Sequence, residues 1–283
     1  MYLDFFGLSE QPFAITPNTR YLYLGKSHES AIETLKYGIS ERLGFLLLTG
    51  EVGTGKTTLV RALMERFDTK VHTALLVNPL MSVPELLCAI TKDFGIKTEG
   101  NSPQQQIDSL NTFLLEVNER DENAVLIIDE AQNLSFESLE AIRLLTNLET
   151  DQHKLLQILL VGQPELNKKL RDHRMRQLQQ RITTMANLEA FDMVEMMRYI
   201  NHRICIANGG GKVFFDPKAY HDIFKETKGF PRLVNLVCHR ALMATYVREA
   251  AIVDRLAVKQ AIADWKGSKP RGTWSWLKRL VYS

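Results

Sequence analysis

Three features of this 283-residue chain predict an α/β fold, a parallel sheet covered by helices on both faces and followed by a small all-helical lid domain. The run Gly50-Glu51-Val52-Gly53-Thr54-Gly55-Lys56-Thr57 fits G-x-x-x-x-G-K-[ST], the spacing of a phosphate-binding loop. Apolar runs of strand length alternate with amphipathic helical stretches over the first two thirds of the chain. Beyond Leu188 no strand-like run of conviction remains, and helical patterns continue alone.

Residues 1–26 are aromatic (Phe5, Phe6, Phe13, Tyr21, Tyr23) and broken by proline, which predicts an irregular arm packed on a domain or walling an adenine pocket. An amphipathic helix over Ser27–Arg42 leads to a buried strand at Gly44–Thr49, the phosphate loop, and a helical period over Leu59–Phe67. Val71–Val77 reads as the next strand, closed by Asn78-Pro79. Ser82 with Glu85 makes a capping box for a helix to about Phe94. Ser102-Pro103 supplies an N-cap and a first-turn proline for a helix to about Arg120. Ala124–Glu130 is a buried strand, Ser135 starts a helix ending near Leu148, and Leu155–Val161 is a strand with Gly162-Gln163-Pro164 at its carboxyl end.

In the helical module, Asp192 with Glu195 caps a helix to about Asn208, and Gly209-Gly210-Gly211 makes a loop. Asp216-Pro217 opens the next helix, which Lys228-Gly229-Phe230-Pro231 breaks. Arg232–Arg248 and Asp254–Trp265 follow as helices. The expected organisation is an arm at 1–26, an α/β domain at 27–190, a helical lid at 191–265 and a tail at 266–283.

The chemistry gathers at two strand ends. A strand, a glycine turn and a helix start aim successive backbone N–H groups at phosphates, on the positive end of the helix dipole. Gly50, Glu51, Val52, Gly53, Thr54, Gly55, Lys56, Thr57 and Thr58 are therefore the expected nucleotide-binding residues. Gly53 and Gly55 let the backbone wrap closely; Lys56 reaches the β- and γ-phosphates, and the Thr57 hydroxyl ligates Mg2+. Asp129, at the carboxyl end of a neighbouring parallel strand, is the expected acidic Mg2+ partner, either directly or through a water. Glu130 points elsewhere and suits a water-polarising role, which a phosphotransferase would not need.

Composition is that of an ordinary globular chain, with 45% hydrophobic and 24% charged residues. A formal charge of +2 gives no electrostatic case for nucleic acid by itself. Cys88, Cys205 and Cys238 are scattered in apolar helical contexts and read as reduced core residues, neither disulfides nor a metal site. No basic-then-apolar leader opens the chain, and no apolar stretch of about 18 residues occurs, so the expected place is the cytoplasm. The tail carries Lys266, Lys269, Arg271, Lys278 and Arg279 among Trp274, Trp276, Leu277, Leu280 and Val281, with no acid. Such a segment suits an anionic membrane surface, a partner groove or nucleic-acid phosphates, or is a disordered end.

With these residues in view, the chain resembles the AAA+ ATPases of the ExeA/GspA secretion-protein group. The similar segments are MYLDFFGLSEQPFAITPNTRYLYLGKSHESAIETL, FLLLTGEVGTGKTTLVRAL, VLIIDEAQNLSFESLEAIRLLTNLE, LLQILLVGQPEL and GFPRLVN, spanning about Met1 to Trp265. The resemblance implies an AAA+ P-loop fold with a lid, and Mg2+-dependent hydrolysis of ATP to ADP and phosphate. Members of that group continue into a transmembrane helix and a periplasmic peptidoglycan-binding domain. Neither is read here, which leads to the expectation of a short, MshM-type relative serving type IV pilus biogenesis. The transposition ATPases (TniB/TnsC-like) share the core and the DEAQ motif, and keep a DNA-transaction regulator open as the alternative.

The resemblance also assigns single positions. Asn78 matches a residue that restrains the catalytic glutamate, or is a turn-former before Pro79. Gln163 matches the sensor of the γ-phosphate or attacking water, and Arg232 a lid cation reaching the γ-phosphate. Arg181 is the first candidate for an arginine finger serving a neighbouring subunit, with Arg174 and Arg176 close by; the three could also be a solvated face. A finger implies an ATP-dependent homo-oligomer, a hexamer by family habit. Pilus or secretion components of the inner membrane are the implied partners, with peripheral membrane contact through the tail.

Overall fold

A computed structural model describes residues 2–77, 79–98, 100–150, 154–209 and 211–267. They sort into two units, one of residues 24–189 and one that joins residues 1–23 to those from 190 onward. The chain opens with a one-turn helix of the second unit, α1 (Tyr2–Phe6). The first unit then runs α2 (Lys26–Ser40), β1 (Phe45–Gly50), α3 (Lys56–Met64), β2 (Val71–Val77), α4 (Val83–Asp93) and α5 (Pro103–Glu119). It continues with β3 (Asn123–Asp129), α6 (Phe136–Leu145), β4 (Gln157–Gly162), α7 (Pro164–Leu170), α8 (Arg176–Arg181) and β5 (Ile182–Leu188).

The five strands pair in parallel in the order β2-β3-β4-β1-β5. Every strand therefore delivers its carboxyl end to one edge, where Gly50, Val77, Asp129, Gly162 and Leu188 lie. The alternation of strand side chains explains why helices cover both faces. Phe45, Leu47, Leu126, Ile128, Ile158 and Leu160 face one core with Leu86, Ile90, Leu110, Leu114, Leu139 and Ile142 of α4, α5 and α6. Leu46, Leu48, Val125, Ile127, Leu159 and Val161 face the other, with Leu35 and Ile39 of α2 and Leu59 and Leu63 of α3. Ser82 forms the capping box expected of it, and Ser102, expected as an N-cap before Pro103, forms one with Gln105 as well.

Two expectations change. The acidic strand β3 is not the immediate neighbour of β1, because β4 lies between them. Gln163 follows β4 directly and so stands at the carboxyl edge between the phosphate loop and the acidic strand. A fifth strand, Ile182–Leu188, joins the four that the sequence pattern predicts. It is an edge strand with strictly alternating burial, so it carries Thr183, Met185 and Asn187 exposed and shows no continuous apolar run.

The second unit adds α9 (Met193–Ile206), β6 (Phe214–Phe215), α10 (Pro217–Thr227), α11 (Pro231–Val247), β7 (Ile252–Val253) and α12 (Arg255–Trp265). It is helical, with one two-residue parallel ladder pairing Phe214 with Ile252 and Phe215 with Val253. Phe6, Leu8 and Phe13 of the opening segment are buried in its core beside Met196, Ile200, Val234 and Leu242. Arg203 fixes that segment: its guanidinium donates to Pro12 O, to Ala14 O at 3.3 Å and to Tyr199 Oη at 2.8 Å, and lies 4.7 Å from the Tyr21 ring centre. The aromatic arm is thus part of the helical unit.

Candidate functional site

The phosphate loop joins β1 to α3. A Cβ on Gly50 would lie 2.7 Å from Leu188 O and 3.0 Å from Thr54 Oγ1, so only glycine allows the loop to leave the sheet there. Gly53 and Gly55 hold φ of 83° and 101°, the left-handed region open to glycine. Thr54 Oγ1 donates to Glu51 O at 2.9 Å and closes the turn. Gly55 is the N-cap of α3 and offers no side chain, so the first-turn amides of Lys56, Thr57 and Thr58 face the loop's interior without a side-chain cap. That is the amide cradle an anion needs.

Lys56 is buried, and its ammonium donates to Gly50 O at 2.8 Å and Glu51 O at 3.1 Å. Burial pushes its pKa down, and the carboxylates of Glu130, Asp129, Glu51 and Glu165 pull it back up. Its charge is thus supported mainly from the end of β3.

A second cluster forms there. Thr57 Oγ1 donates to Asp129 Oδ2 at 2.6 Å, joining the helix start to the acidic strand. Asp129 is buried, and its Oδ1 accepts the Glu130 N–H at 2.9 Å. Glu130 itself takes φ 55°, ψ 37°, a conformation costly for a residue with a Cβ. Its Oε2 accepts Gln163 Nε2 at 3.1 Å and also Gln132 Nε2. Gln132 Oε1 in turn accepts the Gln163 N–H at 3.1 Å.

Of the residues expected from sequence, the phosphate loop, Thr57, Asp129, Glu130 and Gln163 meet at this edge. Arg181 Nη1 donates to Thr146 Oγ1 and Asn147 Oδ1, both at 2.8 Å, and to Arg143 O at 3.3 Å, which caps the end of α6. Arg174 is held by Asp172 at 2.9 Å and stacks 3.5 Å from the Phe136 ring centre. Arg176 is exposed, its backbone N–H donates to His173 O, and its side chain has no hydrogen bond or ion pair among the described residues. Arg232 is exposed at the second position of α11, in the helical unit. Asn78 and most of the tail, residues 268–283, lie outside the described residues.

Two residues at the site went unread in the sequence. His28 is 1% exposed, and its Nε2 lies 2.9 Å from Thr54 O. A carbonyl only accepts, so Nε2 carries the hydrogen. The signal was available: His28 stands three, four and seven residues before Ala31, Ile32 and Leu35, on the buried face of α2. Gln132, the last residue of the DEAQ motif, is the other.

Thr57 and Asp129 present converging oxygen donors, the chemistry that Mg2+ takes. Among the described residues no group of three or more His, Cys, Asp or Glu could hold a metal unaided. The residues thus fit an ion that draws its other ligands from phosphate and water. Among the described residues, no helix is long and apolar enough to cross a membrane.

Comparison with known proteins bears on the fold. Residues 40–170 match the family model described as an AAA domain, a span that runs from before β1 to the end of α7. General secretion pathway protein A of Aeromonas hydrophila is 40% identical over 275 residues, covering 97% of this chain. The chain spans 50% of that relative's length. Among solved structures, the Cdc6p protein of Pyrobaculum aerophilum superposes with a TM-score of 0.66 at 16% identity, over 91% of this chain and 71% of that one. The ORC2 protein of Aeropyrum pernix, solved in ADPNP-ADP complexes, gives 0.62 at 17% identity over 84% and 66%. The Holliday junction branch migration motor RuvB of Thermotoga maritima gives 0.56 at 17% identity over 85% and 70%. At those identities the three structures speak for the fold alone. The chain thus carries an AAA domain at residues 40–170, in a P-loop fold, and is similar along nearly all of its length to General secretion pathway protein A.

Proposed function

We propose that the chain is an ATPase that couples ATP binding and Mg2+-dependent hydrolysis to assembly of a secretion-type or type IV pilus envelope machine. The observation that carries the chemistry is the join between Thr57 and Asp129, with the next residue, Glu130, bonded to Gln163 instead. Phosphates would lie on the amides of Gly53 to Thr58, with Lys56 leaving the Gly50 and Glu51 carbonyls to meet the β- and γ-oxygens. Thr57 and Asp129 would hold Mg2+, which supplies charge neutralisation across those phosphates. Glu130 accepts the proton of the attacking water, and Gln163 holds the water or the γ-phosphate. Arg232 of the helical unit is a γ-phosphate cation in this reading, and Asn78 a restraint on Glu130.

The chain acts as an ATP-dependent homo-oligomer, most simply a hexamer, with a finger that completes the neighbour's site. Arg181 and Arg174 are engaged within their own subunit, so the exposed Arg176 takes the finger role in preference to Arg181. Arg176→Ala should keep nucleotide affinity while turnover per subunit stops rising with protein concentration. A normal Arg176→Ala beside a concentration-independent Arg181→Ala would return the role to Arg181.

The envelope assignment rests on the relationship to a protein named for general secretion. The protein works in the cytoplasm, at the inner-membrane surface, and its basic, tryptophan-bearing tail makes a reversible contact with anionic lipid or an inner-membrane partner. Two measurements test this. ATP-dependent phosphate release should be abolished by EDTA and restored by Mg2+, and deleting residues 270–283 should lower co-sedimentation with anionic vesicles without lowering turnover. Salt-sensitive, ATP-dependent binding of duplex DNA at sub-micromolar protein would replace the envelope reading with DNA transaction.

A further inference from the structure

We infer that Gln132 is a positioning residue for Glu130: its amide locks the water-polarising carboxylate to the tip of β4, so that Gln132, Gln163 and Glu130 work as one unit. This rests on the reading of Glu130 as the group that activates water. The one-turn helix Ala131–Asn133 follows the left-handed Glu130 and folds Gln132 back towards it. There the two ends of one amide do different things. Oε1 accepts the backbone N–H of Gln163 at 3.1 Å, and Nε2 donates to Glu130 Oε2.

The orientation of this amide is forced. A backbone N–H can only donate, so it demands the oxygen end of Gln132. The nitrogen end is then presented to the carboxylate, which can only accept when ionised. Gln163 Nε2 adds a second donor to the same oxygen at 3.1 Å. With both donors on Oε2, the broad terminal torsion of the glutamate is fixed, and the lone pairs of Oε1 remain for a water.

The surroundings are shaped for this bridge. A Cβ on Gly162 would stand 2.9 Å from Gln132 Oε1 and 2.8 Å from Leu166 Cδ2, so the glycine before Gln163 keeps the slot open. Lys169 on α7 donates to Gln132 O at 2.8 Å and to Leu134 O, which pins the turn from beneath. The sequence pairs DEAQ at 129–132 and GQP at 162–164 are therefore two halves of one device: Gly162 makes room, Gln163 offers an N–H, and Gln132 carries the link to the base. Only an amide of this length both accepts and donates here. Methionine has the same reach, donates nothing and accepts only weakly; glutamate would bring a like charge against Glu130.

The test uses the full chain with Gln132→Met, Gln163→Ala, the double variant and Glu130→Gln, measuring kcat, KM for MgATP and equilibrium affinity for a fluorescent ATP analogue. The expected result for Gln132→Met is kcat lower by about 10-fold to 100-fold, the cost of a misplaced catalytic group, with analogue affinity and thermal midpoint unchanged. The double variant should be no slower than the slower single, because residues acting as a unit are not additive. Wild-type kcat in Gln132→Met beside an inactive Glu130→Gln would overturn the positioning role and leave the base assignment standing. So would a loss of analogue affinity parallel to the loss of kcat, since that would make Gln132 part of the loop's architecture. Wild-type turnover in Glu130→Gln would instead remove the base assignment itself, and the inference with it.

Discussion

Lys56 carries the phosphate-binding argument at the scale of single residues. Its ammonium is buried against the Gly50 and Glu51 carbonyls, and four carboxylates maintain its charge. Lys56→Ala should weaken ATP affinity by about 100-fold, the loss of charge-assisted hydrogen bonds, in a fluorescent-nucleotide titration. His28 makes a subtler case. Its Nε2–H holds the Thr54 carbonyl from the buried side, so that the loop's amides face the other way. His28→Ala should raise KM for ATP about 5-fold, one hydrogen bond's worth, with kcat nearly unchanged; His28→Gln should recover part of it through its side-chain N–H. Equal KM in all three proteins would make His28 packing alone. Lys56, Thr57, Asp129 and Glu130 were legible in the sequence because phosphate chemistry fixes both residue type and spacing. The spacing of His28 showed its burial but not its bond to Thr54, and nothing local showed Gln132, since each acts by touching a residue that is distant in the chain or bent back by one unusual φ.

At the scale of elements, the strand ends decide the site. Gly50 terminates β1 where an added Cβ would lie 2.7 Å from the Leu188 carbonyl oxygen of β5. Gly50→Ala should cost about 1–3 kcal/mol, the usual range for overpacking, and distort the phosphate loop more than the sheet. The matching measurement is a lowered thermal midpoint together with a weaker nucleotide-induced rise of that midpoint. The buried strands β1, β3 and β4 were readable as unbroken apolar runs, because helices cover both of their faces. β5 was hidden because an edge strand is half exposed, and α8 because six residues between a short turn and a strand leave no periodicity to read. The place of β4 between β1 and β3 is a matter of topology, which no local pattern records. It puts Gln163 in reach of Glu130.

On the scale of the whole molecule, the chain passes between the two units at residues 23–24 and 189–190. The opening segment belongs to the helical unit through Phe6, Leu8, Phe13 and the buried Arg203, which satisfies the Pro12 and Ala14 carbonyls. Arg203→Ala should destabilise that unit by at least about 2 kcal/mol, the penalty for leaving buried carbonyls without donors. Amide hydrogen exchange in α9 and residues 2–14 should rise while the sheet stays protected. Uniform exchange across both units would show that they unfold as one. The central claim concerns the first unit: the strand ends assemble a site that binds ATP and then hydrolyses it through Glu130. Its most direct test is Glu130→Gln, followed by ATP affinity and single-turnover phosphate release on the same preparation. The account predicts wild-type affinity with release slowed by about 100-fold or more, because the amide holds a water but cannot take its proton. Release at the wild-type rate, with affinity unchanged, would contradict it.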